Sequence, residues 1–149
     1  MSTRSSIIIK VNKEDLGTTK VFDKSKIKFL DEWDECNNVE LCKPVTIKHK
    51  YIGIYCHFDG YPSGVGSTLM SKYSDYDKLL NLIVGGDCSY IYDDVVKRYA
   101  NRAGEKWDYL QPKQGDTVES VINAIENEYA YVFEDGKWTC TNYGEIVEL

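Results

Sequence analysis

The sequence predicts an α+β fold: a small mixed or antiparallel sheet, helices packed on one face, and a C-terminal β-hairpin. Three observations carry that expectation. Residues 6–11 read Ser-Ile-Ile-Ile-Lys-Val, a β-branched run with the composition of a buried strand. Residues 117–127 set Val118, Val121, Ile122 and Ile125 on one helical face. Near the end, alternating runs at 128–133 and 137–141 flank Asp135-Gly136, which is hairpin turn chemistry. Strands followed by helices and then a hairpin suit a sheet with helices laid against it. A length of 149 residues fits one domain with one core.

The other elements follow from local pattern. Residues 12–43, rich in Lys and Asp, form a variable excursion from the core sheet, with short strands at 19–22 and 26–30 and an acidic turn or short helix at 31–35. Residues 46–58 form a strand whose alternation puts Ile52, Ile54, Cys56 and Phe58 on one face and Gly53, Tyr55 and His57 on the other. Helices are expected at 65–73, at 75–84 (Tyr76, Leu79, Leu80, Ile83) and at 93–102 (Val95, Val96, Tyr99). Ser74 with Asp77 resembles an N-terminal cap, Gly85-Gly86 a C-terminal stop, and Asp116 with Glu119 a capping box for the last helix.

Composition narrows the function classes. A net charge of −6 disfavours direct binding of nucleic acid, whose phosphates call for a basic surface. The five Cys are odd in number and match no zinc spacing. There is no signal-like or membrane-spanning apolar run, so the expectation is a cytoplasmic protein with free thiols and no cofactor.

One segment concentrates chemistry-bearing residues, Tyr-Cys-His-Phe-Asp-Gly-Tyr-Pro-Ser-Gly-Val-Gly at 55–66. It joins a strand end to a helix start, where free backbone N–H groups favour anions. The candidate ligand-binding set is Arg4, Tyr55, His57, Asp59, Gly60, Tyr61, Gly64, Gly66, Ser67 and Arg102. Gly64, Gly66 and Ser67 would cradle a phosphate, Arg4 or Arg102 would neutralise it, and Tyr55 or Tyr61 would stack on a base. If the chain were an enzyme, His57 would be a general base and Asp59 its orienter or a metal ligand. Cys56 and His57 are neighbours on a strand, so they point apart and cannot pair. Asp-Gly-Tyr-Pro also makes a sound turn with no ligand. The letters His-x-Asp-Gly-Tyr-Pro match the HD-GYP phosphodiesterases over one turn only, and two His (His49 and His57) with strong strand signals do not suit that all-helical, metal-dependent class.

The opening Met1-Ser-Thr-Arg-Ser5, the Tyr-Cys-His-(Trp/Phe)-Asp-Gly-Tyr-Pro segment at 55–62, Gly-Asp-x-Ser at 86–89, Arg-Ala-Gly-Glu at 102–105 and the hairpin at 129–138 together resemble a family of small uncharacterised bacteriophage and prophage proteins. Ala103 stands where that pattern usually has Arg. The resemblance implies a phage accessory product acting in the bacterial host cytoplasm. It implies a binding role against host defence, through inhibition of a CRISPR-type nuclease effector or sequestration of a signalling nucleotide. The alternatives are a small nucleotide- or phosphoester-processing enzyme and a structural or regulatory partner protein. Strand edges in the excursion leave room for a homodimer by edge pairing.

Overall fold

A computed structural model of the chain describes residues 3–20, 44–56, 60–84 and 112–149. β1 (Ser5–Lys10) is buried at every residue except Lys10. A strand hidden on both faces belongs in the interior of a sheet. β1 sits there, antiparallel to β4 (Tyr51–Cys56) through Ile7↔Ile54 and parallel to β6 (Tyr129–Glu134) through Ile7↔Tyr131. β5 (Lys113–Gly115), β7 (Lys137–Asn142) and β8 (Glu145–Val147) complete a six-stranded sheet in the order β5-β4-β1-β6-β7-β8. β2 (Thr19–Lys20) and β3 (Val45–Thr46) pair separately. The fold is α+β with a mixed sheet and a C-terminal hairpin, as the sequence predicts.

The β6–β7 turn has Asp135 at φ 53° and Gly136 at φ 76°, the left-handed pair of a type I′ turn. Tyr143 at φ 49° and Gly144 at φ 87° repeat that geometry and send the chain back as β8. β5 and β8, three residues each, were too short to carry a readable alternation.

The helices divide between the faces, which differs from the one-face expectation. α1 (Ser67–Lys72) and α2 (Tyr76–Val84) bury Leu69, Leu79, Leu80 and Ile83 against Ile7, Ile9, Ile52, Ile54, Tyr131 and Phe133. α3 (Val118–Ile125) sets Val121 against Ile8 and Val132 on the opposite face. Period-2 alternation along β1 separates Ile7 and Ile9 from Ile8 and so makes two cores. The second core is close-fitting because Gly53 has no side chain. A Cβ there would lie 2.8 Å from both Ile8 Cγ1 and Val121 Cγ1.

Three local features also differ from expectation. The helix at 65–73 begins as a π turn, Pro62–Gly66, that runs into α1. Asp75, not Ser74, caps α2, accepting from the Lys78 N–H at 3.1 Å, while the Ser74 hydroxyl donates back to the Met70 carbonyl at 2.7 Å. The capping box of α3 is Thr117 with Ser120. Asp116 instead accepts from His49 Nδ1 at 3.3 Å and, with Gln114, ties the 46–50 turn to β5. Of the excursion at 12–43, only 12–20 is described. Lys13–Asp15 forms a 3-10 turn, and Tyr76 fastens it by donating to Asp15 Oδ2 at 2.7 Å and accepting from the Asn12 N–H at 3.0 Å. The predicted strand at 26–30, acidic turn or short helix at 31–35, Gly85-Gly86 stop and helix at 93–102 lie outside the described residues.

Gly53→Ala is expected to destabilise the protein by about 1–3 kcal/mol, because the added methyl overpacks the α3–sheet contact. Urea unfolding followed by circular dichroism measures this, and an unchanged midpoint would show that α3 does not rest on Gly53.

Candidate functional site

The glycine-rich junction folds around Tyr131. This fully buried side chain donates from its hydroxyl to the Gly60 carbonyl at 2.6 Å. Gly60 also donates its N–H to the Thr3 carbonyl at 2.9 Å, and a Cβ on it would lie 2.8 Å from the Arg4 carbonyl carbon. Gly66 meets the Tyr131 ring edge, 3.1 Å from where its Cβ would be. Both glycines are therefore explained by close approach within the fold. Burial pushes the phenol of Tyr131 far above its ordinary range.

Two of the backbone donors expected to cradle a phosphate, those of Gly64 and Ser67, are already engaged. Gly64 N–H donates to the Tyr61 carbonyl at 2.9 Å, and Ser67 N–H donates to the Gly64 and Pro62 carbonyls. Val65 is buried in the larger core, so the π turn faces inward on the α1–α2 side of the sheet. Arg4 lines a groove on the opposite side, with α3. The structure thus does not bring Arg4 together with Gly64, Gly66 and Ser67. Tyr55, in register with Ser6, is on the α3 side and only 7% exposed, whereas Tyr61 is 40% exposed at the start of the π turn. His57, Asp59 and Arg102 lie outside the described residues.

Cys56 and Cys140 are buried and unbridged. They occupy β4 and β7, three strand spacings apart across the sheet, or roughly 14 Å, far beyond disulfide reach. Burial raises the thiol pKa of Cys140, which makes it a poor nucleophile. Among the described residues, no group of three or more His, Cys, Asp and Glu could hold a metal ion, and no helix is long and apolar enough to cross a membrane. His49, the other histidine, is exposed beside Asp116, an arrangement worth little energetically.

The larger concavity is elsewhere. An open groove of about 1270 Å³ lies between α3 and the outward rows of β6 and β7. Its floor includes Ile122, Ala130 and Val132, and its rim carries Glu119, Glu126, Glu128, Glu134 and Asp135 against two cations, Arg4 and Lys137. Each element supplies its share for a local reason. α3 turns Val121 inward and leaves Glu119 exposed, while β6 alternates Ala130, Val132 and Glu134 onto this face. Glu126 ends α3 in a left-handed conformation at φ 56°. Asn127 then anchors the next turn by donating to the Ser5 carbonyl at 2.9 Å.

One carboxylate has a fixed partner. Tyr51 donates its hydroxyl to Glu134 Oε1 at 2.5 Å. This bond, with burial and the charges of Glu134, Asp135 and Glu119, pushes the Tyr51 phenol up to about 12. The groove escaped sequence reasoning although a signal for it exists. Between Lys113 and Lys137 the chain has six acidic residues and no Lys or Arg. That run is split between a helix and a strand, so only the fold shows that most of it shares one surface.

The chain matches no protein-family model, no curated protein and no solved structure.

Tyr51→Phe is expected to cost about 1–2 kcal/mol at neutral pH, the worth of a hydrogen bond to a charged acceptor. Because the folded-state pKa is raised, this stabilisation is complete below pH 10 and fades as pH climbs toward about 12. The difference in phenolate absorbance between wild type and Tyr51→Phe during alkaline titration reads that midpoint directly, and a midpoint at the ordinary value of 10 would show that the bond is absent in solution.

Proposed function

We propose that this chain is a non-catalytic binding protein that covers a basic surface on its partner. The partner class is a host defence effector of the CRISPR-nuclease type, acting in the bacterial cytoplasm. The carrying observation is the acidic groove beside α3, with five carboxylates against two cations among the described lining residues. A basic cleft built for a phosphate backbone presents the complementary charge, and such complementarity speeds encounter and fixes orientation. The phage resemblance supplies the effector class.

Sequestration of a small nucleotide has less support. The Gly64 and Ser67 N–H groups donate inside their own turn, and Arg4 lies across the sheet from them. Catalysis would need convergent polar groups with perturbed acidity, and the groove offers carboxylates around an apolar floor.

The test measures DNA binding by purified nuclease effectors in the presence of wild type and of Glu119→Lys/Glu126→Lys. Both positions are exposed, so the variant should fold. Wild type is expected to displace DNA, and the variant to need at least ~10-fold more protein, a loss of about 1.4 kcal/mol. Raising salt should weaken wild type toward the variant. Displacement unaffected by the charge reversal, or no displacement across the effector panel, would overturn the proposal.

A further inference from the structure

β8 is the last strand of the sheet, and no strand among the described residues pairs with its outer edge. Its hairpin with β7 has a two-residue loop, Tyr143-Gly144, so the flanking pair Asn142↔Glu145 exchanges ladder hydrogen bonds. By alternation Ile146 is a non-bonded position, and its N–H and C=O point away from β7 toward the open edge. Its side chain stands on the groove side of the sheet, beside Thr141, and is 89% exposed. Tyr143, on the loop and on the groove lining, is 78% exposed. Two large apolar side chains in water, next to unpaired backbone groups and a bank of carboxylates, make a composite surface with three complementary demands.

We infer that the β8 edge accepts an extended, basic segment of the partner protein, which adds a seventh strand antiparallel to β8; this rests on the acidic-groove reading above. Main-chain bonds to Ile146 would supply the pairing, and alternate side chains the specificity. An apolar residue opposite Ile146 would cover it, and Lys or Arg two positions to either side would face the groove carboxylates. Charge selects this occupant over a second copy. Two β8 strands brought together would place Glu145 and Glu148 of each chain at one seam and set two acidic grooves on one face, between chains of net charge −6. A three-residue edge that begins with Glu145 and is followed by Glu148 also resists indiscriminate self-pairing.

The test uses the full chain and three labelled nine-residue probes: a Thr peptide with a central Val and Lys two positions to either side (Lys-Val), its counterpart with Glu in place of Lys (Glu-Val), and Lys-Val with alternate backbone nitrogens methylated. Binding is read by fluorescence anisotropy. Ile146→Pro removes the outward N–H together with the exposed apolar side chain, at an edge position where a strand tolerates proline, and equal melting temperatures confirm that the fold survives. The inference expects Lys-Val to bind, Glu-Val not to, and both Ile146→Pro and backbone methylation to weaken Lys-Val binding at least ~10-fold. Should Ile146→Pro melt early, the methylated probe against wild type carries the same comparison. Lys-Val binding that ignores methylation but is lost in Glu119→Lys/Glu126→Lys would overturn strand addition while leaving the acidic-groove reading intact. Edge-dependent binding that survives Glu119→Lys/Glu126→Lys would overturn the basic character of the segment and count against the groove. No binding of Lys-Val, or a concentration-dependent dimer abolished by Ile146→Pro, would overturn the inference outright.

Discussion

Everything in this fold hangs on β1 being enclosed. Its parallel pairing with β6 joins residues more than a hundred positions apart, through Ser5↔Tyr129 to Ile9↔Phe133. Its antiparallel pairing with β4 joins the halves in between. Ile7, Ile8 and Ile9 are fully buried, each contributing roughly 1.5–3 kcal/mol of apolar burial. Because Ile8 points opposite to Ile7 and Ile9, one short strand nucleates both cores. Loop closure over such separations is costly before those contacts form, so the hydrophobicity of this strand offsets a topological cost.

The two faces are then built by opposite means. On the α1–α2 side, large side chains interdigitate around Tyr131, whose hydroxyl holds the chain at Gly60 and whose ring accepts Gly66 at close range. On the other side, space is removed instead of filled. Gly53 admits Val121 to the sheet, and Gly115 lies under Ser120. A helix of eight residues, α3, is about 12 Å long and covers only part of a six-stranded sheet. The outward rows of β6 and β7 beyond it form the groove. The acidic surface is thus a geometric consequence of a short helix on a wide sheet, and its chemistry comes from the glutamates at the helix rim and strand end.

The parts of the fold legible in the sequence were those with a strong period or a strong turn. Ile7–Ile9, the 3.6-residue pattern of α2 and α3, and Asp135-Gly136 each state their structure locally. β5 and β8 do not, since three residues show no period and are held by neighbours in the sheet. The division of helices between faces was partly visible, because the alternation at Ile52–Cys56 already placed Gly53 opposite Ile52 and Ile54. A glycine on a strand face signals a close neighbour, and that neighbour is α3. The junction at 55–66 drew attention for its glycines and proline, residues that serve turns and close packing as readily as ligands. At Gly60 and Gly66 packing accounts for them. The acidic run was visible as composition, but its gathering onto one surface depends on pairing between distant segments, which a local reading does not supply.

Whether the molecule has a closed side and an open, acidic side depends on where α3 lies. Nuclear Overhauser contacts between methyl groups decide this directly, with Val121 as the reporter. The structure predicts strong contacts from the Val121 methyls to Ile8 and to the Gly53 α-protons, and none to Ile7, Ile9 or Ile54. Contacts from Val121 to Ile7 or Ile54, in company with those from Ile83, would put all the helices on one face. They would abolish the groove, and the functional account with it.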